Sequence, residues 1–155
     1  MVLNPWYLTG FVEGEGCFSI SFSLRKKLKV KIETRPSFSI SLNKKDLELI
    51  KKIREYFDCG GIRYSKTDNT YKYEVRSVID LWKKIIPHFE KFPLAGRKFE
   101  DFAKFKKIIK MVRANLHLSK KHLPEIIDIA YKMNLSGKRK YSKQYLLKIL
   151  EIEKV

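Results

Sequence analysis

Glu13 and Glu15 alternate with glycines in the segment NPWYLTGFVEGEGCFS, which spans residues 4–19. A carboxylate held by a rigid element can act as a general acid or base, or as a ligand for a divalent cation. Glu15 stands between Gly14 and Gly16, at the last turn of a helix that this segment predicts. Because a strand pattern begins directly after Gly16, we expect the helix to deliver the Glu15 carboxylate to the edge of a sheet.

The predicted helix has a start signal and one side of small residues. Asn4 can accept hydrogen bonds as an N-cap, and Pro5 suits the first helical position. Gly10 and Gly14 are four residues apart and therefore lie on one side of the helix, where a second backbone could approach closely. The spacing predicts a helix–helix joint at these two glycines.

Alternating residues predict two strands after the helix. Within residues 17–25 the even positions are apolar, and the odd positions from residue 19 onward are polar. The same alternation returns from Lys29 to Leu42, after a basic hairpin around Lys26 and Lys27. Period two gives a sheet with one apolar face and one face of hydroxyls and cations.

The rest of the chain continues as helix, strand pair and helices. Asn43 and Ser77 are predicted N-caps, each with an acid three residues later, and residues 62–66 and 71–76 read as strands. Helical spacing of apolar residues then extends from residue 97 to residue 152, with breaks. The order is α-β-β-α-β-β-α followed by a helical tail.

This order predicts an α+β protein with an antiparallel four-stranded sheet backed by helices. We expect a single domain over residues 1–155, with the αββαββα core in residues 1–116 and the helical tail in residues 117–155. The absence of β-α-β alternation argues against a doubly wound parallel fold.

Composition indicates a polyanionic partner. Lys and Arg number 34 against 17 Asp and Glu, which gives a formal charge of +17. Such an excess favours nucleic acid, with a membrane surface a distant second. No stretch of this sequence approaches the roughly 18 apolar residues of a membrane span. Cys17 and Cys59 lack metal-site spacing, so we expect reduced thiols in an intracellular protein.

The polar face of the sheet has two interpretations. Most antiparallel sheets expose one solvated face, but such a face normally mixes charges of both signs. Here the outward positions hold hydroxyls and cations, with only Glu33 and Glu74 as acids. A two-stranded ribbon fits the major groove, where Arg and Lys read guanine, so we favour a face that binds double-stranded DNA. The expected contacts are Ser19, Ser21, Ser23, Arg25, Lys27, Lys29, Arg35, Ser37, Ser39, Ser41, Arg63, Ser65, Lys72, Glu74 and Arg76.

Residues 8–16, LTGFVEGEG, resemble the LAGLIDADG motif of homing endonucleases in residue class and spacing. Further segments are similar to members encoded in organellar group I introns: NPW at residues 4–6, FSISL at 38–42, FEKFPLAGRKFEDF at 89–102 and HLS at 117–119. The resemblance covers nearly the whole chain, and the ordered set of segments is more specific than the nonamer alone.

The resemblance implies a saddle-shaped αββαββα sheet that sits on DNA, with two such units packed through their motif helices. In this chain the packed residues would be Leu8, Gly10, Phe11 and Gly14. The last acid of the motif holds a divalent metal in the family. This role falls on Glu15, assisted by the backbone carbonyl of Gly14, with Mg2+ or Mn2+ as the ion.

Three other positions follow from the resemblance. A lysine near the third helix assists through the water network in the family, and Lys98 is our choice, with Arg97 as the alternate. Leu42 stands where many members carry a glutamine that orders water, which leaves that role without a residue. Glu13 lies about 200° around the helix from Glu15, so we expect it to be structural.

One motif supplies one carboxylate, whereas cutting both strands requires two. Residues 94–96 imitate the start of a second motif, but neither the second glycine nor the placed acid follows them. We therefore expect a homodimer with twofold symmetry that makes a double-strand break in a long, roughly palindromic site. The alternative is that the chain is half of a longer protein with two motifs.

Two rival functions share this composition. One is a maturase of the same fold, which binds intron RNA and assists splicing, and the other is a DNA-binding regulator without catalysis. The resemblance places the gene in an intron and the protein in a mitochondrion or chloroplast. His88, His117 and His122 lack partners at catalytic spacing and are expected at the surface or at helix ends.

Overall fold

The order of elements predicted from the sequence is confirmed by the structure, a computed structural model that describes residues 2–152. The elements are α1 (Pro5–Glu15), β1 (Gly16–Leu24), β2 (Ile32–Asn43), α2 (Leu47–Phe57), β3 (Gly61–Ser65), β4 (Thr70–Val75), α3 (Val78–Asp80), α4 (Ile86–Lys91), α5 (Lys98–Arg113), α6 (Leu123–Ala130) and α7 (Lys143–Ile152). A π-helical stretch, Leu81–Ile85, joins α3 to α4. The ends of the predicted domain, residue 1 and residues 153–155, lie outside the described residues.

The four strands form one antiparallel sheet in the order β1-β2-β4-β3. Phe18 pairs with Phe38 across β1 and β2, and Ile40 pairs with Tyr73 across β2 and β4. All four of these side chains are fully buried against the helices, as the alternation predicts. The intervening side chains therefore share the opposite, open face.

An aromatic cluster joins the sheet to the helices. The ring of Phe18 lies 5.2 to 5.4 Å between centroids from the rings of Phe38, Phe89, Phe102 and Phe105. Full burial of one such side chain contributes about 1.5–3 kcal/mol, and each favourable ring pair about 1 kcal/mol more. The cluster fixes β1, and with it the end of α1, against α4 and α5.

The start of α1 follows the predicted capping chemistry. Asn4 Oδ1 accepts hydrogen bonds from the backbone amides of Trp6 at 2.8 Å and Tyr7 at 3.3 Å, and Pro5 occupies the first helical position. These bonds satisfy amides that the helix itself leaves without partners. The last residue of α1 is Glu15, and β1 begins at the next residue.

The tail protects the outer edge of β1. Asn134 Nδ2 donates to the carbonyl of Phe18 at 2.7 Å, and Arg139 Nη1 donates to the carbonyl of Ile20 at 2.7 Å. The Arg139 guanidinium also lies 4.4 Å from the centre of the Tyr131 ring. Since an unpaired strand edge exposes its carbonyls, these side chains take the place of a neighbouring strand.

The strand boundaries differ from the prediction, by one residue in β3 and β4 and by more at the start of β2. β2 begins at Ile32, and the preceding connection turns at Lys31, whose φ is 61°. Lys29 therefore lies in the hairpin rather than on the strand, because the left-handed turn at Lys31 interrupts the extended backbone.

None of the helices within residues 2–152 is long and apolar enough to cross a membrane.

Candidate active site and nucleic-acid interface

One side of α1 is an open strip made of Tyr7, Gly10, Phe11 and Gly14, which are spaced i, i+3, i+4 and i+7. Both glycines are exposed, and a Cβ added to either would meet no atom within 4 Å. Tyr7 is 50% exposed and its ring stacks on that of Phe11. The strip has no cover among the described residues and is smooth enough for a second helix.

The prediction that Leu8 packs against a second motif helix is wrong. Its side chain is fully buried in the core of its own chain, on the side of α1 that also carries Thr9 and Val12. Leu8 is therefore not available to a second copy. Tyr7 occupies the open strip instead, and the spacing from Tyr7 to the two glycines could have identified it from the sequence.

Glu15 ends the strip and is exposed. Within residues 2–152 its carboxylate makes no hydrogen bond or ion pair, and no side chain bonds the Gly14 carbonyl. The C-terminal end of a helix carries partial negative charge, which favours a cation. Because Mg2+ binds one or two carboxylates together with substrate phosphates, an exposed carboxylate at this helix end suits such an ion.

No cluster of three or more His, Cys, Asp or Glu side chains that could hold a metal occurs in the described part of the chain. Glu15 therefore belongs to no such group of three within residues 2–152. This geometry fits an ion whose remaining ligands come from outside the protomer, such as phosphate oxygens and water.

Lys98, the first residue of α5, reaches the same end of α1. Its Nζ donates to the backbone carbonyls of Val12 at 2.9 Å, Glu13 at 3.0 Å and Gly16 at 2.5 Å. An ammonium has three N–H donors, so these bonds occupy all of them. Its charge thus lies beside the helix end that carries Glu15.

Glu13 of α1 in turn contacts the segment just before α5. Its Oε1 accepts from the amide of Ala95 at 3.0 Å, and its Oε2 accepts from the amide of Gly96 at 3.0 Å. The segment that imitates the start of a second motif is thus the anchor for Glu13. This is the structural role that we expect of Glu13, and it directs the carboxylate away from Glu15.

A buried histidine, His88, contacts the buried side of α1. The Thr9 hydroxyl donates to the Phe92 carbonyl at 2.8 Å, so His88 Nε2, 3.0 Å away, must donate to the Thr9 oxygen. His88 Nδ1 then accepts from the Tyr56 hydroxyl at 2.9 Å, which assigns a neutral ring. Burial lowers the pKa of His88 to about 4. The sequence predicts His88 at the surface or at a helix end. His88 does lie in the last turn of α4, but it is buried there, since a neutral imidazole with two partners can be buried.

The predicted DNA contacts on the strands share the open face of the sheet. Ser19 lies opposite Ser37, and Ser21 lies opposite Arg35. On the other half of the sheet Lys72 lies between Ser41 and Arg63. Further strand residues on this face are Ser23, Ser39, Ser65 and Glu74, with Arg25 and Arg76 directly after the ends of β1 and β4. Lys27 and Lys29 are exposed in the β1–β2 hairpin.

Glu74 organises the cations of this face. Its carboxylate accepts from Ser37 Oγ at 2.7 Å, pairs with Arg76 Nε at 3.0 Å and Arg63 Nη2 at 3.3 Å, and lies 3.5 Å from Lys72 Nζ. Burial of the Glu74 carboxyl raises its pKa, but the Ser37 hydroxyl and the three cations outweigh this and hold the pKa below its usual range. The carboxylate therefore stays charged at the centre of a basic surface.

Sequence reasoning missed two anchors of β1, Asn134 and Arg139, which lie in the tail. Arg139 belongs to a run of three cations, Lys138 to Lys140, which indicates only a basic patch. Its actual partners are backbone carbonyls of β1 and α6, including that of Ala130. No local pattern in the sequence marks a carbonyl that lies more than a hundred positions away.

Comparisons with known proteins agree with this geometry. The model of the LAGLIDADG endonuclease family matches residues 8–109. A probable intron-encoded endonuclease 3 from Neurospora crassa is 34% identical over 134 residues, which make up 86% of this chain and 25% of that protein. Curated relatives of this kind are longer, and the chain spans about a quarter to a third of the length of the two N. crassa proteins that it matches.

Solved structures show the same fold. The crystal structure of a homing endonuclease, I-TnaI, matches with a TM-score of 0.85 and 35% identity, over 98% of this chain and 99% of that one. The I-LtrWI LAGLIDADG homing endonuclease bound to target DNA matches with a TM-score of 0.84 and 34% identity. That match covers 88% of this chain but only 46% of the DNA-bound one.

Proposed function

The chain belongs to the LAGLIDADG endonuclease family, and from this premise we propose that it is a homing endonuclease. It would bind a long, roughly palindromic DNA duplex as a homodimer and hydrolyse one phosphodiester bond in each strand. The observation that carries the proposal is the open strip of α1, which ends at the exposed carboxylate of Glu15 beside a basic sheet face.

The homodimer is supported by the α1 strip. Gly10 and Gly14 leave room for a second α1 to approach at backbone distance, with Tyr7 and Phe11 beside them. A twofold axis through this contact would bring the two Glu15 side chains together.

The open face of the sheet is proposed to lie in the major groove. Its hydroxyls and cations would contact base edges and phosphates, and the exposed hairpin cations Lys27 and Lys29 would contact phosphates at one end. The formal charge of +17 implies affinity that falls steeply as salt rises.

Glu15 and the Gly14 carbonyl would hold Mg2+ or Mn2+ at the scissile phosphate. When bound, the ion supplies an activated water and neutralises charge on the phosphate. The protein contributes position: Lys98 holds the end of α1 and keeps a positive charge beside it, while Glu13 fixes α1 to the start of α5. The water-ordering role has no assigned residue, because Leu42 has no polar side chain.

A plasmid library with randomised inserts tests the activity. We expect the purified chain to linearise a subset of plasmids with Mg2+ and none with EDTA. Glu15→Gln should abolish cleavage while duplex binding remains, and Glu55→Gln, which alters an exposed acid of α2, should cleave normally. Sedimentation with a selected duplex should give two protein copies for each DNA.

Other outcomes separate the rivals. Intact DNA together with tight binding of intron RNA would favour a maturase, and duplex binding with no metal-dependent nicking would favour a regulator. Cleavage that survives Glu15→Gln would refute the assignment of the metal ligand. The names of the N. crassa relatives support an intron-encoded gene, and we propose a mitochondrion or chloroplast as its location.

A further inference from the structure

Partners from its own chain surround the Glu74 carboxylate: Ser37 and Arg63 donate hydrogen bonds to it, and Arg76 and Lys72 form ion pairs with it. Its two oxygens provide about four acceptor sites. Oε1 faces Arg63 and Arg76, and Oε2 faces Ser37 and Lys72, so each oxygen has two partners from the same chain. A base edge that approached Glu74 would have to displace one of these partners. Glu74 is therefore badly placed to read a base itself, although it lies on the face that would meet DNA.

Arg76 is held in a way that leaves its guanidinium fork open. Its Nε lies 3.0 Å from Glu74 Oε1 in an ion pair, and its two terminal nitrogens donate no hydrogen bond to a described residue. Its side chain is 53% exposed. Two parallel N–H groups of an arginine match the O6 and N7 acceptors of guanine. An ion pair on the Nε side of the guanidinium favours arrangements in which the two terminal nitrogens face away from Glu74.

The other partners of Glu74 come from the strands on both sides of β4. Arg63 comes from the neighbouring strand β3, and Ser37 comes from β2, so Glu74 links three adjacent strands. Shallow depressions flank it, and both are bordered by Lys72, Glu74 and Arg76. The Glu74 side chain is only 14% exposed and lies beneath the cations that it holds.

We propose that Glu74 is a positioning residue that fixes Arg76 for bidentate recognition of a guanine and thereby sets base specificity at one position of each half-site. The inference rests on the proposed binding of duplex DNA by this face. An unrestrained arginine on a basic surface can turn to any nearby phosphate, which adds affinity without sequence information. The Glu74 carboxylate lowers the electrostatic affinity for DNA and restricts the orientation of Arg76. Its effect is therefore on discrimination between bases.

Selection from randomised duplexes in EDTA, where no strand is cut, tests the proposal. The wild-type chain should select a guanine at one symmetric pair of positions, with a preference of roughly tenfold or more over other bases. Arg76→Ala should remove that preference, because alanine has no donor for the guanine acceptors. Glu74→Gln should reduce it to below about threefold at the same positions, since a neutral amide attracts the Arg76 guanidinium more weakly than a carboxylate does.

A matched variant separates positioning from net charge. Glu33 lies on the same face and bonds Arg25 and Ser23 at the far end of β1. Glu33→Gln and Glu74→Gln remove equal charge, so both should raise affinity for random-sequence DNA and steepen its salt dependence by about one phosphate contact. Only Glu74→Gln should lose the guanine preference assigned to Arg76. Melting temperatures of the variants establish that each is folded.

The possible results distinguish failure of the Glu74 proposal from failure of the proposed DNA binding. If Arg76→Ala loses a guanine preference that Glu74→Gln retains, Glu74 does not position the arginine. If Arg76→Ala changes no base preference, Arg76 does not read DNA bases and the proposal fails. A wild-type chain that selects no duplex at all would overturn the proposed function itself.

Discussion

Glu13 and Lys98 each bond the backbone at the end of the helix that carries the other residue. Glu13 of α1 accepts from the Ala95 and Gly96 amides just before α5, and Lys98 of α5 donates to three carbonyls at the end of α1. Each charge is opposite in sign to the partial charge of the helix end that it meets. The pair therefore fixes the end of α1, and with it the backbone that carries Glu15.

Glu13→Gln should weaken this connection without touching the sheet. The amide keeps one oxygen acceptor but loses the negative charge at the start of α5, so we expect the free energy of unfolding to fall by about 1 kcal/mol. Cleavage at saturating DNA should slow by about tenfold, because Glu15 is held less exactly relative to the phosphate. Urea unfolding and single-turnover kinetics measure the two effects.

The comparison for this variant is Glu55→Gln on α2, where the acid is exposed and forms no bond with a described residue. That change should leave both the free energy of unfolding and the cleavage rate within error of the wild-type values. If Glu13→Gln behaves like Glu55→Gln, the Glu13 contact does not contribute to positioning.

The parts of the fold that local patterns determine could be predicted from the sequence. Asn4 and Pro5 define the start of α1, and strict alternation through β1 and β2 assigns each side chain to a face. These features depend on neighbours a few residues away. The open face and its cations followed correctly from the same parity.

Features that depend on distant partners could not be predicted. Arg139 belongs to a basic run in the sequence, and only the packing of the tail against β1 brings it to the Ile20 carbonyl. His88 becomes a buried bridge because Thr9 and Tyr56 approach it from other helices. Sequence spacing contains no record of either contact.

The free energy of unfolding should fall as the pH is lowered from about 6.5 towards 4. The folded protein holds the pKa of His88 at about 4, below its ordinary value of 6.5, so the unfolded chain takes up the proton first. Stability is complete above the ordinary pKa, and up to about 3 kcal/mol is lost over this window. Chemical unfolding at half-unit pH steps measures the slope.

His88→Gln should flatten that slope while lowering stability at neutral pH. Burial also lowers the pKa of His117, so part of the dependence should remain in the single variant. Carboxylates that are stabilised in the fold, such as Glu74, lose their contribution only at more acidic pH. An unchanged slope between pH 6.5 and pH 5 in His88→Gln would show that the histidine is not the source.

Arg139→Ala should destabilise the chain through the edge of β1. The change removes donors to the carbonyls of Ile20 and Ala130 and leaves a strand edge without its cover. We expect the free energy of unfolding to fall by about 2 kcal/mol. Lys138→Ala removes an exposed neighbouring cation and should cost almost nothing. Similar losses in the two variants would mean that charge, rather than edge capping, explains the effect.

Gly10→Leu should separate folding of the protomer from its self-association. An added Cβ at Gly10 meets no atom of its own chain within 4 Å, and leucine is a better helix former by about 1 kcal/mol, so the protomer should be as stable as before or more stable. The new side chain would project from the open strip and prevent a second α1 from approaching. Sedimentation should then show a folded monomer, and cleavage of both strands should be lost. Glu55→Leu places the same side chain on α2 and should leave the dimer intact, whereas a Gly10→Leu variant that still sediments as a dimer would mean that the copies meet at another surface.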